Sequence, residues 1–287
     1  MIDFSKIKMR KPKDLRFSSA GIPLSTPNKN TFEGIKHVRN LGLGGMELEF
    51  VHSVNLKPDA AIKAAKIAEE NDVVLTAHGS YYINLNAVLP QKIAASRMRI
   101  IDAATSARLA GGFSVTFHPA FYLKDEKSVV FDRVKVQLKK IVDELKDRGN
   151  DITISPETTG KGTQFGDLKE LVSLSAQLDQ VSPCIDFAHL HARSIGKYNS
   201  FEEFREILSF VENNLGREGL DNLHMHVAGI EYGLKGEKHH LILDDSDLKY
   251  VDLLRALKEF KVKGSLVCES PNIEVDALML KKKYEEL

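Results

Sequence analysis

Acidic and imidazole side chains follow an apolar, strand-like run in the stretch 181–192, VSPCIDFAHLHA. Its apolar residues end at Asp186, and His189 and His191 come directly afterwards. Carboxylate oxygens and imidazole nitrogens are ligands that borderline divalent metals accept. Taken alone, the stretch is explained equally well by an Asp that caps the next helix beside two hydrogen-bonded histidines. Repetition of the pattern elsewhere in the chain favours a metal site.

Five other apolar runs end in the same way, with a histidine or a glutamate. They are residues 73–78, 114–118, 152–157, 222–226 and 264–269. Together with a polar segment near residue 240, the runs supply these candidate ligands: His78, His118, Glu157, Asp186, His189, His224 or His226, Glu237, His239 or His240, and Glu269. One ion typically takes about four to six ligands, so the set predicts two or three ions that share carboxylates.

Alternating strand and helix patterns would bring these residues together. The predicted strands are 15–21, 45–51, 73–78, 112–118, 151–157, the run ending at Asp186, 222–227 and 264–269. The predicted helices are 31–41, 58–71, 90–110, 129–146, 167–178, 200–215, 248–260 and 273–285. About eight such repeats predict a parallel (β/α)₈ TIM barrel, and an open doubly wound sheet is the alternative. The barrel is favoured because the candidate ligands fall at the carboxyl ends of strands, the face on which such barrels carry their chemistry.

The composition is that of an ordinary globular protein, with 43% hydrophobic and 28% charged residues among 287. No linker divides the chain, so we expect one domain over residues 1–287. The formal net charge is zero, which argues against a nonspecific nucleic-acid binder and requires any polyanion to meet a local patch. We expect a cytoplasmic monomer that does not contact membranes, with Cys184 and Cys268 reduced in core strands.

The sequence resembles a known family, the type IV apurinic/apyrimidinic endonucleases. These are metal-dependent DNA-repair barrels related to xylose isomerase-like barrels. The resemblance covers residues 78–272, in the family's order and near its spacing. Its motifs are HGSYYINL, FHPAF, PETTGKGTQFG, CIDFAHLHA, LHMHVAGIEYG with GEKHH, and CESPN.

The resemblance implies a centre of three zinc ions. The first ion would be held by His78, His118 and a bridging Glu157. The second would add Asp186, a seventh-strand histidine and Glu269, and the third would use His189, Glu237 and His239. An ungapped match selects His224 over His226 and His239 over His240, although strand alternation cannot separate the first pair. Glu237 replaces the family's usual Asp, and His191 replaces an apolar residue.

Two loop motifs have alternative explanations. Tyr81 and Tyr82 resemble family residues that enter DNA at the lesion, although loop tyrosines also serve as packing residues. Residues 160–162, GKG, offer amides and Lys161 to a phosphate, but a flexible connection explains them equally well.

The implied activity is zinc-dependent hydrolysis of double-stranded DNA on the 5′ side of abasic sites. Glu157 would hold two ions at bridging distance, and Glu269 would anchor an ion and orient the nucleophile. The alternative is a metal-dependent sugar isomerase or epimerase on the related barrel, which would not need the third ligand group. A catalytically silent metal-binding module is a third hypothesis.

Overall fold

The computed structural model describes residues 3–287, and its centre is a sheet of eight parallel strands. The strands are β1 (Leu15–Ala20), β2 (Gly45–Glu49), β3 (Val74–His78), β4 (Ser114–Phe117), β5 (Thr153–Pro156), β6 (Cys184–Asp186), β7 (Leu223–Val227) and β8 (Gly264–Cys268). Their spatial order is β5, β4, β3, β2, β1, β8, β7, β6. Parallel bridges from Ile154 to Val181 and from Glu157 to Cys184 join the two outer strands. The predicted TIM barrel is therefore confirmed, and the open sheet is excluded.

Helices connect the strands and cover the outside of the barrel. They are α1 (Thr31–Asn40), α2 (Pro58–Glu70), α3 (Pro90–Leu109), α4 (Lys127–Asp147), α5 (Leu168–Ser175), α6 (Phe187–Arg193), α7 (Phe201–Leu215), α8 (Glu218–Asp221), α9 (Tyr250–Glu259) and α10 (Glu274–Glu286). In α4 the buried residues Val130, Val134, Leu138, Ile141 and Leu145 recur every three or four positions and form one inner face. Burying each such side chain contributes about 1.5–3 kcal/mol. None of the helices within residues 3–287 is long and apolar enough to span a bilayer.

Two elements near the carboxyl ends of the strands differ from the sequence-based prediction. Residues 228–247 are predicted as a polar loop, but they contain an antiparallel hairpin of Gly229–Gly233 and Gly236–Leu241. Helix α6 is also absent from the prediction. Its first turn is capped by Asp186, whose Oδ1 accepts a 2.7 Å hydrogen bond from the His189 amide. Both elements carry candidate ligands, so they decide which side chains reach the barrel mouth.

Candidate metal centre

A cavity of about 520 Å³ opens at the carboxyl ends of the strands. Its lining residues are His78, His118, His189, His240, Glu237, Glu269, Ala20, Glu49, Tyr81, Ser270, Pro271 and Ile273. Most of the predicted ligands are among them, because parallel strands in a barrel end on the same face. Three overlapping groups of ligand atoms surround this cavity.

The first group contains His78, His118 and Glu157, whose ligand atoms lie within 4.8 Å of one another. The Nε2 atoms of His78 and His118 lie 3.2 and 3.3 Å from the two carboxylate oxygens of Glu157. The other ring nitrogen of His78, Nδ1, lies 2.8 Å from the Gly79 carbonyl oxygen. Because a carbonyl only accepts, Nδ1 must carry the proton, which leaves the Nε2 lone pair free for a cation.

The second group contains Glu157, Asp186, His226 and Glu269. Asp186 is the register partner of His226 across β6 and β7, so both residues lie at the same height in the barrel. Nδ1 of His226 lies 3.3 Å from Glu269 and 3.5 Å from Glu157. The capping Asp186 keeps its second oxygen, Oδ2, for the centre, so helix capping and ligation are compatible in this residue.

The third group contains Asp186, His189 and His240, with Glu237 beside it. Nδ1 of His189 lies 2.9 Å from the Thr158 carbonyl oxygen, and Nε2 lies 3.7 Å from Glu237.

The first glycine of the GKG segment explains this approach of Glu237. A Cβ atom on Gly160 would lie only 2.6 Å from the Cβ of Glu237, and the Gly160 carbonyl oxygen accepts a 2.9 Å hydrogen bond from the Glu237 amide. The GKG segment therefore holds the hairpin against α6.

Two predicted ligands lie outside the three groups at the cavity, and one of them, His224, belongs to a fourth group with Cys184 and His226. His224 is level with Cys184, one step below the end of β6, and its Nδ1 lies 2.9 Å from the Ser114 hydroxyl oxygen. His239 has a 60% exposed side chain and pairs with Glu231 at 3.3 Å. The structure instead brings His226 and His240 to the ligand groups.

A β-bulge explains the choice between His239 and His240. In a regular strand Glu237 and His239 would share a face, because side chains alternate. The hairpin register shifts between Glu231, which pairs with His239, and Tyr232, which pairs with Glu237. Lys238 is therefore the extra residue of the bulge. The extra residue reverses the alternation, so that His240 turns towards the centre with Glu237.

Unpaired polar atoms at the centre fit a bound cation. Both carboxylate oxygens of Glu157, Oδ2 of Asp186, Nδ1 of His226 and Nε2 of His240 are buried, and none has a hydrogen-bond partner of good geometry within residues 3–287. Leaving several such atoms unpaired would cost about 1–3 kcal/mol each, and more for charged groups. Mixed carboxylate and imidazole donors are the set that zinc and similar ions accept, so these residues fit a multinuclear metal centre.

The electrostatics of these residues reflect their mutual proximity. Burial lowers the pKa of both His78 and His189, but nearby carboxylates outweigh this effect. Glu157 raises the pKa of His78 to about 10. Asp186 and Glu157 together raise the pKa of His189 to about 10. Burial raises the pKa of Glu269, yet the charge of His226 lowers it to about 2. The buried carboxylates therefore stabilise positive charge among the ligand atoms, as they would stabilise a bound cation.

Two glutamates of β2 were missed by the sequence analysis. Glu47 is fully buried, and its oxygens lie 2.7 Å from Nε2 of His224 and 3.0 Å from Nε2 of His226. Glu49 lines the cavity, and burial together with the Glu47 charge raises its pKa to about 8. The available signal was the pair of acids two residues apart in the otherwise apolar run GMELE.

The remaining predicted residues lie around the centre. Tyr81 and Tyr82 are 61% and 62% exposed, and Tyr81 lies at the cavity rim with its ring centroid 5.8 Å from that of His78. His191 is buried away from the cavity, where Nε2 lies 2.9 Å from the Asp247 carboxylate. Asp247 also accepts a 2.8 Å hydrogen bond from the Tyr232 hydroxyl, so His191 ties α6 to the hairpin.

Comparisons with known proteins agree with this architecture. A protein from Methanocaldococcus jannaschii of no stated function is 44% identical over 273 residues, which cover 95% of this chain and 98% of that protein. A probable endonuclease 4 from Mycoplasma pneumoniae is 22% identical and covers 69% of this chain and 68% of its own length.

Solved structures share the fold. A D-tagatose 3-epimerase-like protein has a TM-score of 0.73 at 18% identity, covering 94% of this chain and 97% of its own. Endonuclease IV from Thermus thermophilus has a TM-score of 0.70 at 20% identity, covering 94% and 100%. At these identities the likeness concerns the fold alone. The model of a family described as xylose isomerase-like TIM barrel matches residues 35–286, and the chain therefore belongs to that family.

Proposed function

We propose that this protein is a metal-dependent DNA-repair endonuclease that hydrolyses the phosphodiester on the 5′ side of abasic sites in double-stranded DNA. The observation that carries the proposal is the set of three ligand groups that overlap at Glu157 and Asp186 around one cavity. A cluster of ions sharing carboxylates is suited to phosphodiester hydrolysis, because it stabilises both the attacking and the leaving oxygen.

The protein's own residues would divide the work as follows. Glu157 is fully buried between the first and second groups, so it would bridge two zinc ions. His189, His240 and Glu237 would hold a third ion on the hairpin side. Glu269 reaches the cavity with a 15% exposed side chain, which suits it to anchor an ion and orient the attacking water.

Local surface features would supply contacts for DNA despite the zero net charge. A second cavity beside the hairpin is lined by Lys161, Arg193, Lys235 and Lys238, with Glu237 between this cavity and the metal groups. Lysine and arginine side chains bind phosphates irrespective of base sequence. The exposed ring of Tyr81 on the rim and that of the adjacent Tyr82 would enter a duplex at a lesion where one base is missing.

Sugar isomerisation or epimerisation is the second candidate, and one observation favours it. The group of Glu157, Asp186, His226 and Glu269 provides four ligands, which is sufficient for a single ion at the mouth of a barrel. The histidines of the other two groups have no evident task in such a reaction, and for this reason we place the nuclease first.

The test is elemental analysis of the purified protein beside cleavage of a labelled duplex with one abasic site. We expect about three zinc ions per chain and a single cut that leaves a 3′ hydroxyl, which a DNA polymerase extends. The same preparation is offered ketohexoses with one divalent ion present. Turnover of a sugar without cleavage of the duplex would replace the nuclease with the second candidate.

A further inference from the structure

One wall of the cavity at the carboxyl ends of the strands lies outside the ligand groups. Its residues are Ala20 at the end of β1, Glu49 at the end of β2, and Ser270, Pro271 and Ile273 after β8. The strands β8, β1 and β2 are neighbours in the sheet, so these five residues form one continuous surface, which we call the open wall.

Two buried polar atoms on the open wall are unpaired. Oε1 of Glu49 and Oγ of Ser270 have no hydrogen-bond partner among residues 3–287, whereas the other three residues of the wall are apolar. Gly21 leaves room for the Glu49 side chain, since a Cβ atom at Gly21 would lie only 3.1 Å from the Cγ of Glu49. Buried polar atoms that lack a protein partner point to a bound ligand with complementary groups.

The chemistry of that ligand follows from the position of the wall. Phosphate oxygens would bind at the metal groups, and the unit that would then reach the open wall is the deoxyribose attached to the scissile phosphate. In a DNA chain the 3′ and 5′ oxygens of that sugar are esterified, and an intact nucleotide carries a base at C1′. An abasic deoxyribose has one free hydroxyl, at C1′, and it exists only at the lesion.

We propose that Glu49, assisted by Ser270, recognises the abasic sugar by a hydrogen bond to its 1′-hydroxyl. This proposal rests on the proposed nuclease function and adds the group that distinguishes the lesion from an intact nucleotide. The carboxyl group can act in either protonation state, because a carboxylate accepts from a hydroxyl and a carboxylic acid donates to one. The apolar residues of the wall would contact the carbon atoms of the ring.

The test compares two duplexes, one with a natural abasic deoxyribose and one with a tetrahydrofuran residue that lacks only the 1′-hydroxyl. We expect the zinc-loaded wild type to cleave the natural site with a kcat/KM about 3- to 10-fold higher, the effect of one hydrogen bond between neutral groups. Glu49→Leu should cleave the natural site only as fast as the wild type cleaves the tetrahydrofuran site. Its rate on the tetrahydrofuran site should equal that of the wild type. Glu49→Gln keeps the side-chain shape and one hydrogen-bonding group, so it should lose less.

Two controls separate recognition from support of the metal centre. Zinc content, measured by elemental analysis, should equal that of the wild type in both Glu49 variants. Glu231→Gln, which removes a carboxylate bound to Lys238 outside the cavity, should leave the preference intact. Equal losses on both duplexes, or a wild type without preference, would overturn the role of Glu49 alone. A zinc-loaded wild type that cuts neither duplex would overturn the nuclease function as well.

Discussion

Glu157→Gln is the substitution that tests the centre most directly, because the Glu157 carboxylate contacts histidines of all three groups. Its oxygens lie 3.2 Å from His78, 3.3 Å from His118, 3.1 Å from His189 and 3.5 Å from His226. Burial raises the pKa of Glu157, but these histidines outweigh it and lower the value well below normal, so the group is anionic. Glutamine keeps the volume and withdraws that charge.

The magnitude follows from the charge and the distances. Two unit charges 4 Å apart interact by about 4 kcal/mol at an effective dielectric constant near 20. A carboxylate that bridged two divalent ions would lie closer than this to both, so we take about 4 kcal/mol as the expected minimum loss. Since about 1.4 kcal/mol corresponds to a factor of ten, we expect affinity for the bridged pair of ions to fall by at least about 10³-fold. Cleavage of an abasic duplex should fall at least as far.

The assay combines isothermal titration with zinc, elemental analysis and single-turnover cleavage. The variant should fold, since the hydrophobic core does not depend on this carboxylate, and duplex binding should fall much less than cleavage because other phosphate contacts remain. Glu231→Gln is the matched control, as it removes a carboxylate from the same face. A folded Glu157→Gln protein that binds zinc and cuts at close to the wild-type rate would refute the bridged cluster.

Four further results are expected. His226→Ala should lose an ion and nearly all cleavage, while His224→Ala should keep its metal and lose about 1–3 kcal/mol of stability in thermal unfolding; the reverse ranking would favour the ungapped sequence match. Glu47→Gln should weaken zinc binding about 10- to 100-fold, as measured by titration, because Glu47 orients His226; unchanged affinity would exclude that role. Replacing Tyr81 and Tyr82 with Ala should weaken binding to lesion-containing duplex at unchanged metal content, whereas lower stability with equal binding would make them packing residues. Two imidazoles of the centre have pKa values near 10, so they hold protons at pH 7, and zinc binding should release protons in calorimetry and tighten as pH rises; binding without proton release would contradict those values.

The barrel itself is predictable from the sequence because the hydrophobic periods typical of strands and of helices alternate along the chain. Strand-like runs and helical spacing give the element order, and the helix predicted at 58–71 is observed at Pro58–Glu70. The strand predicted at 264–269 is observed at Gly264–Cys268. The hairpin Gly229–Leu241 escapes such an analysis. Its strands lie outside the barrel, so most of their residues beyond Ile230 are partly or fully exposed and polar, and hydrophobic alternation is lost.

The metal ligands were harder to predict, because they depend on the height at which each strand ends and on the register of the hairpin. His224 and His226 face the same side of β7, and only the height of the strand end separates them. That height is set by β6, whose last residue Asp186 lies beside His226. The choice of hairpin ligands depends on a β-bulge, and neither the residue types nor their spacing in the sequence predicts it. The family match without gaps predicts His224 and His239, whereas His226 and His240 are the members of each pair that lie in the groups around the cavity.

Height in the barrel also explains why the two acids of β2 differ in role. Glu47 and Glu49 point to the same side of their strand, two residues apart, as alternation requires. Glu47 lies below the cavity and meets Nε2 of His226, the ring nitrogen that faces away from the other ligands, so it can orient that histidine without contacting substrate. Glu49 is one step higher, level with His78, and opens into the cavity. Removing the lower carboxylate would leave Nε2 of His226 without its acidic partner, and removing the upper one would leave the open wall without a carboxylate. The spacing of the two acids along β2 would therefore couple the metal centre to the proposed recognition of the sugar.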